Sequence, residues 1–130
     1  MPLPKKIVSR KDEITNDFIK LVHDHVADLK NGQVNHMCHT SDYAKLLFIH
    51  PRHLTNTIKL TTGKSPCDWG EELVIAEVQQ LLRETELSIA QIGYRFAYTE
   101  PTNFVKFYKS MTGTTPLKYR KSIREEKLST

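Results

Sequence analysis

Apolar residues recur at steps of three and four between Asp12 and Lys30, at Ile14, Phe18, Leu21, Val22, Val26 and Leu29, with His25 on the same stripe. That spacing predicts one helix with a single buried face. Asn31-Gly32 supplies its stop, and Gln33 to His39 reads as a polar connection with turn character. A short second helix is expected over Thr40 to Leu47. Pro51 suits the first turn of a third, where a missing amide hydrogen has no intrahelical partner to lose, and Thr62-Gly63 closes it. Pro66 opens a longer segment to Glu84, with Trp69, Leu73 and Ala76 on one side and Val74, Val78, Leu81 and Leu82 on another. Apolar character on two sides predicts neighbours on two sides. Ser88 is the expected N-cap of a helix to Phe96, Pro101 opens one that Thr112-Gly113 closes, and a last short helix covers Pro116 to Arg124. No stretch alternates as a strand would. The pattern predicts an all-α fold of seven helices.

The chain repeats itself. Leu54-x-x-x-Ile58-Lys59-x-x-x-Gly63-x-Ser65-Pro66 recurs as Phe104-x-x-x-Tyr108-Lys109-x-x-x-Gly113-x-Thr115-Pro116 at an offset of 50 residues. Upstream, Tyr43-Ala44 with Phe48-Ile49 matches Ile92-Gly93 with Ala97-Tyr98 at an offset of 49, so the second turn carries one more residue. Each copy reads helix, short turn, helix, and the small residues Ala44 and Gly93 suit close crossing of two helices.

At 100° per residue the second helix of each copy separates two faces. Leu54, Thr57, Ile58 and Thr61 cluster on one side, with Arg52, Thr55, Asn56 and Lys59 opposite. In the second copy Phe104, Phe107, Tyr108 and Met111 cluster, with Thr102, Val105, Lys106 and Lys109 opposite. Arg, Asn, Lys and Thr on the outer face near a helix N-terminus have the chemistry of a helix that reads base edges. The 19 residues from Pro66 to Glu84 span about 28 Å at ~1.5 Å each, comparable with the ~34 Å between successive major grooves on one side of a duplex. If the two reading helices lie closer than one turn, the duplex must curve toward the protein.

Charge adds to this picture. The net charge of +4 is modest, but no acidic residue occurs from Pro101 to Arg124, where Lys106, Lys109, Lys118, Arg120, Lys121 and Arg124 gather. A basic segment of this kind suits a polyanion. At 130 residues the chain is too short for an effector domain beside a DNA-binding one. It has two cysteines, Cys38 and Cys67, no secretory signal and no apolar run of membrane-spanning length, so a reduced cytoplasmic setting is expected. His23, His25, His36, Cys38, His39, His50 and His53 are dense, yet their spacing argues against a shared metal ion: His23 and His25 lie about 200° apart on a helix. No nucleophile elbow, phosphate loop or spaced carboxylate pair points to catalysis, and no cofactor is expected. Trp69 is assigned to the core, and Tyr119-Arg120 to folding the tail against the last helices.

Ser88-Ile89-Ala90-Gln91-Ile92, followed by Phe104-x-x-x-Tyr108-Lys109-x-x-x-Gly113-x-Thr115-Pro116-x-x-Tyr119-Arg120, resembles the C-terminal signature of AraC/XylS transcription regulators. The resemblance spans Asp12 to Arg124. It implies two helix-turn-helix subdomains, a homeodomain-like pair, joined by a long helix: a flexible tail over 1–11, subdomains over 12–65 and 87–124, the linker helix over 66–86 and a second tail over 125–130. It also implies a bacterial, nucleoid-associated regulator whose partner is double-stranded DNA, with RNA polymerase or other regulators as further partners. Without an N-terminal effector domain, monomeric binding is expected. Carried over by position, Arg52, Thr55, Asn56, Thr102, Val105 and Lys106 become base-contact candidates, and Lys59, Lys109, Lys64 and Arg95 phosphate-contact candidates. The alternative is a helical protein-interaction module of the same fold. The chain departs from the family at Phe48 and Ala97, where glycine is common in the turns, so an easy left-handed conformation is not expected there and the turns should distort. Val74 replaces a backbone-reaching Arg and Gly70 an apolar residue, which predicts weaker binding than is usual in the family.

Overall fold

A computed structural model describes residues 9–129. They form seven α-helices and no strand: α1 (Arg10–Lys30), α2 (Thr40–Leu46), α3 (Pro51–Thr62), α4 (Pro66–Glu84), α5 (Ile89–Arg95), α6 (Pro101–Thr112) and α7 (Pro116–Ser129). Proline opens α3, α4, α6 and α7 where the sequence places it. Left-handed glycines end α3 and α6, Gly63 at φ 80° and Gly113 at φ 83°, their amides donating to the carbonyls of Lys59 and Lys109.

The ends of the chain differ from expectation. Residues 1–8 of the expected N-terminal tail lie outside the described residues, and Arg10 and Lys11 are already helical. Ser9 caps α1, its Oγ accepting the Asp12 amide at 3.2 Å. At the other end α7 runs past Arg124 to Ser129, because Glu125-Glu126-Lys127-Leu128 favours helix and no glycine or proline interrupts it.

The chain forms two compact units. Among the described residues, one holds residues 9–27 and 38–71; the other holds residues 28–37 and 72–129. In the first unit, Ile14, Phe18, Val22 and Val26 of α1 are buried, as are Tyr43 and Ala44 of α2 and Leu54 and Ile58 of α3. The Phe18 ring meets Tyr43 edge-on at 5.4 Å, the hydroxyls of Thr15 and Thr61 bond at 2.7 Å, and His25 Nε2 accepts the Cys38 amide at 2.9 Å. That last bond needs a neutral imidazole.

The second unit buries Leu29, Val74, Val78, Leu81, Leu82, Ile92, Phe96, Phe104 and Tyr108. The end of α1 belongs here because Lys30 Nζ donates to Glu77 at 2.7 Å and to Gln80 at 2.6 Å. The Lys30 carbonyl also accepts from Arg95 Nη1 at 2.9 Å. Arg120, itself buried, donates to the carbonyls of Leu82 at 3.1 Å, Leu87 at 2.7 Å and Thr85 at 3.3 Å. It thereby closes the end of α4 and the connection to α5, while Tyr119 Oη accepts from Arg83 at 2.9 Å.

Three expected core positions are open. Ala76 and Thr61 are exposed and Met111 sits at the surface, so α4 buries one main face, that of Val74, Val78, Leu81 and Leu82. Leu21, Leu73, Trp69 and Phe107 are half-buried. Trp69 donates its indole N–H to Thr62 Oγ1 at 3.0 Å.

Candidate nucleic-acid interface

Each copy of the repeat builds the same object. From α2 into α3 the Ile49 amide donates to Ala44 O at 3.0 Å and the Phe48 amide to Lys45 O at 3.2 Å. From α5 into α6 the Tyr98 amide donates to Gly93 O at 3.1 Å and the Ala97 amide to Tyr94 O at 3.2 Å. This pair of bonds defines the helix-ending turn that normally centres on a left-handed glycine. Phe48 adopts φ 58° and Ala97 φ 70°. The expectation of distorted turns is therefore wrong: both turns keep the regular bonds and hold a strained non-glycine residue within them.

The crossing of the two helices is close in both copies. Ala44 is fully buried. At Gly93, a Cβ would come within 2.9 Å of Phe104 Cγ. The burial pattern from Pro51 to Trp69 repeats from Pro101 to Tyr119 with one difference, Thr57 buried against Phe107 half-buried. Below the repeated faces, Thr62 donates to Ile58 O at 2.7 Å and accepts from the Lys64 amide at 3.2 Å. Thr112 does the same with Tyr108 O at 2.9 Å and the Thr114 amide at 3.3 Å.

The outer faces emerge as the wheel predicts. On α3, Arg52, Asn56 and Lys59 are exposed and Thr55 is half-buried; on α6, Thr102, Lys106 and Lys109 are exposed and Val105 is half-buried. The side chains of Arg52, Asn56, Lys59, Lys106 and Lys109 make no hydrogen bond, ion pair or ring contact among the described residues. No acidic residue lies on either helix. The remaining two candidates are tethered: Lys64 Nζ sits 4.9 Å from the Trp69 ring centroid, and Arg95 holds the end of α1.

Three further residues lie at these faces, two of them histidines that the sequence presents only as possible metal ligands. His50 precedes Pro51 and caps α3, its Nδ1 accepting the Arg52 amide at 3.0 Å. Its place before a helix-opening proline is the signal. His53 and Asn103, equivalent in the repeat, are both exposed on the first turns of α3 and α6. Among the described residues, no group of three or more His, Cys, Asp or Glu side chains is placed to hold a metal ion.

A family of helix-turn-helix domains matches residues 43–122, from within α2 into α7. The chain is an AraC-type helix-turn-helix domain. Among the relatives it matches, the arabinose operon regulatory protein of Escherichia coli K12 is 24% identical over 115 residues, 88% of this chain and 37% of that protein. The Msm operon regulatory protein of Streptococcus mutans is 26% identical over 112 residues, 86% of this chain and 40% of that protein. The chain thus spans little more than a third of either relative. Several solved structures share the fold, among them the following two. The C-terminal domain of AraT, a response regulator from Geobacillus stearothermophilus, superposes with a TM-score of 0.76 at 24% identity over 88% of both chains. The DNA-binding domain of AdpA, a global transcriptional factor solved in complex with a target DNA, does so with a TM-score of 0.73 at 17% identity over 88% of this chain and 98% of that one. The two turn-helix pairs of this AraC-type domain are the repeat that the sequence displays.

Proposed function

We propose that this AraC-type domain is the DNA-reading part of a sequence-specific transcription regulator, using the outer faces of α3 and α6 in the major groove. The observation that carries the reading is the duplicated outer face, with cations that have no partner among the described residues, on two helices built to one plan. Lys59 and Lys109, with Lys64 and Arg95, supply phosphate contacts, which fix register and carry most of the affinity. Arg52 and Lys106 suit guanine, Asn56 suits adenine, and the methyl groups of Val105, Thr55 and Thr102 suit the thymine methyl. The AdpA complex supports this use of the fold.

The domain acts by binding, without a cofactor or a chemical step, in the cytoplasm at the nucleoid. Among the described residues no helix is long and apolar enough to cross a membrane. Binding as a monomer, and contact with RNA polymerase or another regulator, belong to the same proposal.

Selection from a random duplex pool tests it. A narrow enriched motif, bound with an affinity that falls steeply with salt, is the expected result. No enrichment and no salt dependence would instead favour a protein-interaction module on the same scaffold.

A further inference from the structure

Gly70 is the fifth residue of α4, and a glycine inside a helix calls for a reason. It leaves the backbone less restrained than any other residue and favours helix least after proline. Packing supplies no reason: a Cβ at Gly70 would meet no atom within 4 Å, in contrast to Gly93. Its φ is not left-handed either.

Its position along the chain does suggest one. The division between the two compact units falls one residue later, between Glu71 and Glu72. On the N-terminal side, α4 is anchored to the first unit. Trp69 bonds Thr62, and Asp68 closes a reciprocal cap with Ser65, the Ser65 amide donating to Asp68 at 3.2 Å and the Asp68 amide to Ser65 Oγ at 3.1 Å. On the C-terminal side, Val74 is the next fully buried residue and belongs to the second unit. The stretch from Gly70 to Leu73 lies between these anchors. The repeat sharpens the contrast, because the position equivalent to Gly70 is Arg120, which ties its helix to three carbonyls. Position 70 has no side chain with which to do the same.

From this we infer that Gly70 is a joint in α4 that sets how much the spacing between the two DNA half-sites can vary. It is a positioning residue: it touches no base, and it acts through α3 and α6. The inference rests on the DNA-reading proposal, so its test has one readout without DNA and one with it.

Three forms of the domain are compared: the unaltered chain, Gly70→Ala, and Ala76→Gly, which places an equally soft residue at an exposed site of α4 away from the joint. Without DNA, amide hydrogen exchange is followed along α4. The amides of residues 71–74 should exchange faster than those of residues 78–82, and Gly70→Ala should slow them about fivefold, the factor by which alanine outranks glycine in a helix. With DNA, affinity is measured for the selected site and for duplexes whose half-sites are one base pair closer or farther apart. Gly70→Ala should bind the selected spacing at least as tightly as the unaltered chain, yet lose about tenfold more affinity at the altered spacings, since a stiff connection loses effective concentration when its span is wrong. Ala76→Gly should leave the spacing penalty unchanged. Equal spacing penalties in the unaltered chain and Gly70→Ala overturn the inference, as do exchange rates at residues 71–74 that do not respond to Gly70→Ala. If the unaltered chain selects no site, the DNA-reading proposal fails, and the exchange experiment still decides whether the joint exists.

Discussion

Gly93 and Phe104 meet where a side chain on Gly93 has no room: a Cβ would lie 2.9 Å from Phe104 Cγ and 3.0 Å from its Cβ. The first copy solves the same crossing with Ala44 and Leu54, both fully buried. In the second copy the pair, rather than either residue alone, sets how closely α5 can approach α6.

Gly93→Ala is therefore expected to destabilise the second unit by about 1–3 kcal/mol through overpacking. Adding Phe104→Leu, which imitates the first copy, should recover part of that loss although Phe104→Leu alone is destabilising. Denaturant unfolding of the two single variants and the double variant checks the coupling. Additive losses would show that the two positions do not share one space.

Phe48 is 94% exposed at φ 58°, so its ring gains almost no burial while its backbone is strained. Phe48→Gly should raise stability by about 1 kcal/mol, the net of relieved left-handed strain against the added freedom of the unfolded chain. Thermal melting would show it, and a lower midpoint would mean that the Phe48 ring has a stabilising contact.

Arg120→Ala removes donors from the carbonyls of Leu82, Thr85 and Leu87 and leaves a gap in a buried site. The expected loss is about 3 kcal/mol, the scale for buried charge-assisted bonds. Arg120→Lys should restore only part of it, because an ammonium group cannot imitate the planar fork. Chemical unfolding of both variants measures the difference.

Burial, reinforced by the neighbouring Cys38 and Asp42, pushes the Tyr43 phenol above the usual tyrosine range. Its folded pKa exceeds its unfolded one, so its contribution to stability is complete below about pH 10 and is lost as the pH rises beyond that. Tyr108 is shifted in the same direction by burial. Melting temperatures should fall steeply in this alkaline range, and Tyr43→Phe should flatten the fall.

The helices were legible because their ends carry local chemistry. Proline opens α3, α4, α6 and α7, and Gly63 and Gly113 close α3 and α6, so these boundaries needed no tertiary information. The outer faces of α3 and α6 were legible for a similar reason, since helical periodicity alone sorts Arg52 and Asn56 from Leu54 and Ile58. Features that depend on distant partners were not. Nothing local to Lys30 announces Glu77 and Gln80, which draw the end of α1 into the second unit. Nothing in Arg95 or Lys64 reveals the carbonyl and the indole that hold them. The turns misled because residue preference argues against φ > 0 at Phe48 and Ala97, whereas the helix-ending bonds on either side require it.

The most direct test of DNA reading compares Asn56→Ala and Lys59→Ala on the selected site and on random duplex. Both side chains are exposed and without partners among the described residues, so both variants should fold. Asn56→Ala should weaken the selected site by about 1–3 kcal/mol, relax preference at one adenine and leave random DNA nearly unaffected. Lys59→Ala should weaken both duplexes alike and lower the salt slope by about one. Losses from Asn56→Ala that are equal on selected and random DNA would contradict the assignment of α3 as a base-reading helix.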